Sequence, residues 1–405
     1  MMKKIINFLI FSSICTFISA QTDKGVFISY PSGFYDFIMK ELGISDDGIS
    51  EKPKSFKMDF SGKIYPTDIS KYNVMYHCEP VSQGYSGTCW AYAAVSYMES
   101  EVFRQQKIKI KLSEMFVAYW EYIARAEEFV KTKGATNIGE GSQANAILRV
   151  MKNYGMIPLE IYSGIKNNQR FNDHTKLFNE FYLYLNEIRE KELWDMNVVI
   201  ANTKAILDKY MGAPPTTFRF ENKEYTPQTF MTEYLKLNPN RYFCFMSSKK
   251  YSYNEMHEFE SADNWWHSNN FYNINLQDYI DLIKHSISSG YTIAICGDVT
   301  EPGYDQISEV GVIPDFDIPA KYINEDARQL RLSNNTTTDD HCIHIVGYEI
   351  FNGDYWFLIK DSGSGAFDGK NKGYRFYHED YVKLKVMNFM IHVDAAKKIL
   401  DGIIK

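Results

Sequence analysis

The sequence predicts an α+β fold of two lobes, a helical one followed by a β one, and two observations carry that prediction. Between about residues 83 and 159, apolar residues recur at three- and four-residue spacing, the period of a buried helix face. From Tyr291 onward, the runs Tyr291–Cys296, Cys342–Ile350, Tyr355–Ile359 and Gly373–Tyr377 are short, β-branched or aromatic, and bounded by Gly, Asn and Asp, as strands are. Residues 160–290 separate the two as a long helical and aromatic insertion.

In chain order, residues 1–20 combine Lys3 and Lys4, an apolar run from Ile5 to Ile18, and Ser19-Ala20 ahead of Gln21, which reads as a cleavable secretory signal. That implies a secreted or periplasmic protein. No later stretch offers 18 consecutive apolar residues, so no membrane span is expected in the mature chain. Residues 21–66 are interrupted by Pro31, Gly33, Gly43, Gly48 and Pro53 and are expected to form an irregular arm. The remainder, 67–405, is expected to be one domain divided at 67–159, 160–290 and 291–405. Within it, Leu112-Ser113-Glu114 opens a helical pattern that runs through Phe129. A loop at Gly139 to Gln143 leads to a helix over 144–153, closed by Gly155 and Pro158. In the insertion, Lys176 to Tyr210 suggests one or two exposed helices, Phe218 to Tyr225 a hairpin, and Asn275 to Gly290 a helix. The aromatic stretch Tyr251 to Tyr272, with Trp265 and Trp266, reads as core or interface before it reads as a binding platform. A last helix is expected over Ala395 to Ile404.

Composition narrows the function. At 405 residues and 45% apolar, the chain can bury a large core. Its formal charge of −7 falls to −9 without Lys3 and Lys4, and no basic stripe is present, which argues against nucleic acid as a partner. Without Cys15, five cysteines remain: Cys78, Cys89, Cys244, Cys296 and Cys342. An odd count fits one reactive thiol and up to two bridges, whose pairing the sequence leaves open.

The candidate thiol is Cys89, which follows Gly84 and Gly87 and opens a helix carrying Trp90, Ala93, Ala94, Tyr97 and Met98 on one face. Unpaired N–H groups and the positive end of the helix dipole favour thiolate there. Gln83, six residues upstream, can donate to a developing oxyanion together with the Cys89 N–H. The base is expected to be His341, at the mouth of a strand. His344 is an interior residue facing the other way, and residues i and i+3 of a strand do not converge on a metal. Asp361, at the end of the next strand, can accept from the far ring nitrogen of His341 and raise its pKa. No cofactor is needed for this chemistry.

The run Gln83-Gly84-x-x-Gly87-Thr88-Cys89-Trp90 and the run His341 to Tyr348 resemble the active-site segments of papain-like cysteine peptidases. The landmarks Trp120-Glu121-x-Ile123-x-Arg125-Ala126-x-x-Phe129, Gly212-x-Pro214-Pro215-x-Thr217-Phe218 and Thr226-Pro227-x-x-Phe230 are similar to the bleomycin hydrolase and aminopeptidase C subgroup. The resemblance implies a papain-like fold with a β-barrel-like second lobe, peptide substrates, and aminopeptidase action. It also implies a substrate shelf at Gly141 and Ser142, where the family has a Gly-Gly pair, with Trp90 beside it. A homo-oligomer, a hexamer in the subgroup, is implied on the same grounds. Three departures stand out. Ser86 replaces a cysteine, and Asp361-Ser362-Gly363 replaces Asn-Ser-Trp, so the catalytic hydrogen bond is expected to lose its shield from water. The C-terminal arm that restricts the subgroup to free N-termini is expected to be missing. Endopeptidase action, acyl transfer by Cys-His-Asp, and a catalytically silent peptide-binding role are the competing readings.

Overall fold

A computed structural model describes residues 23–44, 54–166 and 169–397, so the expected signal and most of the expected last helix lie outside the described residues. The helical lobe is built on the Cys89–Gln106 helix, which is buried on nearly every side, from Trp90 through Val102. A helix enclosed all round must pair what polar groups it holds: Glu99 receives the Lys111 ammonium and the Leu112 N–H, and Glu101 receives Arg104. Lys107, in the left-handed region at φ 59°, ends it. The Glu114–Lys131 helix packs beside it, and the Ser113 hydroxyl caps it by accepting from the Phe116 N–H at 3.0 Å. The Ala146–Tyr154 helix stops at Gly155, φ 82°, where a side chain would run into the backbone of Pro227.

The β lobe is one open sheet. Its central strands run in the order Tyr374–His378, Asp354–Lys360, His341–Phe351, Ile293–Gly297, Val386–His392, Tyr242–Met246 and Phe271–Asn273. It is not a closed barrel, which corrects the barrel-like expectation. The His341 and Asp354 strands form a hairpin whose turn residues Asn352 and Gly353 both have positive φ, 55° and 98°, matching the twist of the sheet. On one sheet face, Phe245, Ile295, Ile343, Ile345 and Phe389 pack on the Leu276–Ser288 helix. On the other, Cys296, Cys342 and Met390 join the core of the helical lobe.

Two further expectations needed correction. The insertion holds the expected helices, Thr175–Glu190 and Met196–Met211, and the expected hairpin, but it also contributes Tyr242–Met246, Glu255–His257 and Phe271–Asn273 to the main sheet. The 21–66 arm is not irregular throughout. Gly25–Ile28 pairs antiparallel with Ser55–Met58, and Phe34–Glu41 is helical. This hairpin grips the sheet. The buried Lys57 ammonium donates to the carbonyls of Glu301 and Tyr304, each at 2.9 Å, and Met58 N–H donates to Pro302 at 2.9 Å. Cysteines 296 and 342, directly opposed across two strands, form a disulfide, whereas Cys78, Cys89 and Cys244 are free thiols. Among the described residues, no helix is long and apolar enough to cross a membrane.

Trp90 has no exposed surface and donates its indole N–H to the Glu140 carbonyl at 3.1 Å. Trp90→Ala is therefore expected to cost about 3–5 kcal/mol of stability, read by denaturant unfolding; a cost under about 1 kcal/mol would contradict the packing described.

Candidate active site

The loop before the nucleophile is shaped by its own hydrogen bonds. Gly84 sits at φ 68° with its α-carbon against the Asn172 backbone, so any side chain would both strain and collide there. The Ser86 hydroxyl donates to the Gln83 carbonyl at 2.8 Å and contacts the Thr88 hydroxyl at 2.6 Å. Gly87 N–H donates to the Glu140 carboxylate at 2.7 Å. The loop therefore delivers Cys89 to the first position of its helix, at the seam between the lobes, with partial exposure.

His341 faces it from the β lobe. Its Nε2 lies 2.7 Å from Asp361 Oδ1, which leaves Nδ1 as the nitrogen available to the sulfur. Burial pulls the His341 pKa down, but the Asp361 charge, the Cys89 thiolate and hydrogen bonds to both outweigh it and lift it well above the ordinary value. Burial likewise raises Asp361, and the charge and hydrogen bond of His341, then Arg375, outweigh it and hold the carboxyl below its usual range. The pair is thus held as carboxylate and imidazolium, with the imidazolium facing the Cys89 sulfur.

Gln83 is held by both ends. Its carbonyl oxygen accepts from the Ser362 hydroxyl at 2.8 Å, and its amide nitrogen donates to the Ser86 carbonyl at 2.7 Å. The Gln83 N–H also donates to the Ser362 carbonyl at 3.0 Å. One amide hydrogen remains to meet an oxyanion beside the Cys89 N–H.

The expected solvent exposure of the His341–Asp361 bond is not found. Asp361 is 2% exposed. Its Oδ1 also accepts from the Gly363 N–H at 2.8 Å, and its Oδ2 lies 3.4 Å from the Tyr304 hydroxyl and 3.9 Å from Arg375 Nε. Arg375 is itself fully buried, stacks over the Tyr304 ring at 5.0 Å and donates to the carbonyls of Asp305 and Gln306. Tyr304, from another part of the chain, and Arg375, on the neighbouring strand, close over the carboxylate where the family pattern would have a tryptophan. No local motif marks them.

Other expected residues fall differently. Trp90 is wholly enclosed and does not reach substrate; its part is to tie the Glu140 loop to the nucleophile helix. Ser142 is 2% exposed, with its hydroxyl turned inward to Glu121 at 2.6 Å, so it offers no open shelf. Gly141 is partly exposed beside it. His344, the competing base, is buried against Ser96 Oγ at 2.9 Å, and burial, reinforced by the neighbouring Lys360 charge, pushes its pKa well down. It remains neutral, in the core, on partners different from those of His341.

A helix-tip thiol opposite a carboxylate-held imidazole, on a two-lobe α+β scaffold, defines the class of papain-like cysteine peptidases. A family model described as the Peptidase C1-like family matches residues 62–398, and the chain belongs to that family. Among curated relatives, Aminopeptidase C of Lactobacillus delbrueckii subsp. lactis is 22% identical over 268 residues, 55% of this chain and 59% of the relative. Cysteine proteinase 1, mitochondrial, of Saccharomyces cerevisiae is 20% identical over 263 residues, 54% of this chain and 53% of the relative. The chain thus spans little more than half the length of these relatives. Among solved structures, PepW from Lactobacillus rhamnosis shares the fold, with a TM-score of 0.65 and 19% identity over 83% of this chain and 86% of that one.

The charge on Asp361 has a testable consequence. In Asp361→Asn the anion that raises His341 is gone, so the imidazolium loses its proton at lower pH. The alkaline limb of kcat/KM against pH is expected to move toward acid, with the acid limb moving less. An unmoved alkaline limb would contradict the electrostatics above. Arg375→Met leaves a buried carboxylate short of a compensating charge and is expected to cost about 3 kcal/mol in denaturant unfolding.

Proposed function

We propose that this chain is a cysteine peptidase acting on peptide substrates with a free N-terminus, an aminopeptidase. The observation that carries the reaction type is the position of His341, with a buried carboxylate on one ring nitrogen and Cys89 within reach of the other. The Cys89 thiolate attacks the scissile carbonyl carbon, and the C=O electron pair moves onto oxygen, where Gln83 and the Cys89 N–H receive it. As the C–N bond breaks, the imidazolium gives its proton to the leaving amine, and a thioester remains. Water then attacks that thioester, His341 takes the water proton, and the C–S bond breaks to release the acid and restore the thiolate. Each oxyanion donor is worth roughly 2.7–4 kcal/mol in such sites.

The name of the bacterial relative, Aminopeptidase C, supports the exopeptidase part of the reading. An exported location is part of the proposal, and the Cys296–Cys342 bridge supports it, because structural disulfides persist in oxidising compartments.

Two measurements test the proposal. Cys89→Ala is expected to abolish peptide hydrolysis, and iodoacetamide to inactivate the wild type by alkylating Cys89; retained activity in Cys89→Ala would end the reading. Aminoacyl coumarin amides are expected to be cleaved and their N-acetylated counterparts spared, whereas equal rates on both would remove the aminopeptidase assignment.

A further inference from the structure

Residues 258–268 form a loop of the insertion that lies across the seam between the lobes on the Gly141 side. It is tied at both ends. The Ser261 hydroxyl donates to Asp339 at 2.7 Å, two residues before His341 in the β lobe. The Trp265 indole donates at 3.0 Å to Glu121 of the helical lobe, the same buried carboxylate that receives Ser142 and Arg149. Trp265 is 6% exposed and lies between the guanidinium groups of Arg125 and Arg149, each 4.9 Å from its ring. Inside the loop, the buried Asn264 donates to the carbonyls of Phe259 and Ser268 and accepts from the Ser268 N–H, so the loop has a fixed shape of its own. Beneath it, Gln143 joins the lobes again through Asp339 and Asn388.

Between the two ties stands Asp263. Its carboxylate rests on Gly141, so closely that a methyl group placed on that glycine would lie 2.6 Å from Oδ2. Gly141 follows Glu140, whose side chain and carbonyl hold Gly87 and Trp90 on either side of Cys89. Through Gly141 and Glu140 the loop therefore sits next to the residues that flank the thiol. Among the described residues, the Asp263 carboxylate accepts no side-chain hydrogen bond, and Arg125 is the cation that acts on it. Burial raises Asp263 above the usual carboxylate range, and the Arg125 charge only partly offsets this, so an arriving cation would stabilise its charged form.

We infer that the 258–268 loop closes the cleft on the N-terminal side of the scissile bond and that Asp263 receives the free α-ammonium of the substrate. This deepens the aminopeptidase reading and rests on it, supplying a cause for that specificity from within the insertion. A chain that continues past the ammonium meets the loop, and an acetylated N-terminus offers Asp263 neither charge nor space.

The test compares wild type, Asp263→Asn, Asp263→Ala and Asp263→Lys on three coumarin amides of the same amino acid, one with a free amine, one N-acetylated and one N-succinylated. Loss of a charged hydrogen-bond partner is expected to raise KM for the free amine by about 10- to 100-fold, with kcat changing far less. Asp263→Lys is expected to shift preference toward the N-succinyl substrate, a gain that damage to the fold would not produce. Alkylation of Cys89 by iodoacetamide at wild-type rate checks that each variant is folded. If wild type prefers the free amine but the folded Asp263 variants keep the same KM and the same preference, the role of Asp263 is refuted and the aminopeptidase reading stands. If wild type itself cleaves all three substrates equally, the aminopeptidase reading fails and this inference with it.

Discussion

The structure depends on a buried ion pair, His341 with Asp361, held where neither charge is fully solvated. Taking an imidazolium and a carboxylate out of water costs several kcal/mol per ion, and close approach repays that only when the remaining lone pairs and protons are also satisfied. Here Oδ1 of Asp361 serves His341 and the Gly363 N–H, while Oδ2 faces Tyr304 and Arg375. The other ring nitrogen is left for Cys89. Such a set works only if the two lobes cannot slide. The ties that hold the seam, Gln83 to Ser362 and Gln143 to Asn388, flank it.

Two histidines three residues apart on one strand show how the surroundings decide a protonation state. His341, between the Asp361 carboxylate and the Cys89 sulfur, is held positive; His344, against a serine hydroxyl and near Lys360, is held neutral. Both are buried, so burial alone does not separate them. What differs is the sign of the nearest charge. The N-terminal hairpin contributes at a distance, since Lys57 fixes the carbonyls of Glu301 and Tyr304 and so places the tyrosine that covers Asp361.

Much of this was legible beforehand. The nucleophile helix, the helix capped by Ser113, the two insertion helices and the strands Ile293–Gly297, His341–Phe351, Asp354–Lys360 and Tyr374–His378 each follow from a short-range period and its punctuation. The strands Val386–His392, Tyr242–Met246 and Phe271–Asn273 went unread, the first beside an expected helix and the others inside a region expected to be helical and aromatic. Their neighbours in the sheet are distant in sequence, and no local pattern states which edge a lone apolar run will join. Trp90 and Ser142 show the converse limit. A motif placed them next to the reacting groups, and only packing revealed that one is sealed in the core and the other turned inward onto Glu121.

By itself the sequence determined where Cys89 and His341 stand, because a thiol at a helix tip and a histidine at a strand mouth are set by adjacent residues and backbone. It also determined the α+β class, since the periods of 3.6 and 2 are written locally. The tertiary structure decided what surrounds them: that Arg375 and Tyr304 close over Asp361, that Cys296 meets Cys342, and that Asp263 comes to rest on Gly141. Those contacts join residues up to 122 positions apart in the chain, and such separations are closed only when the whole core forms.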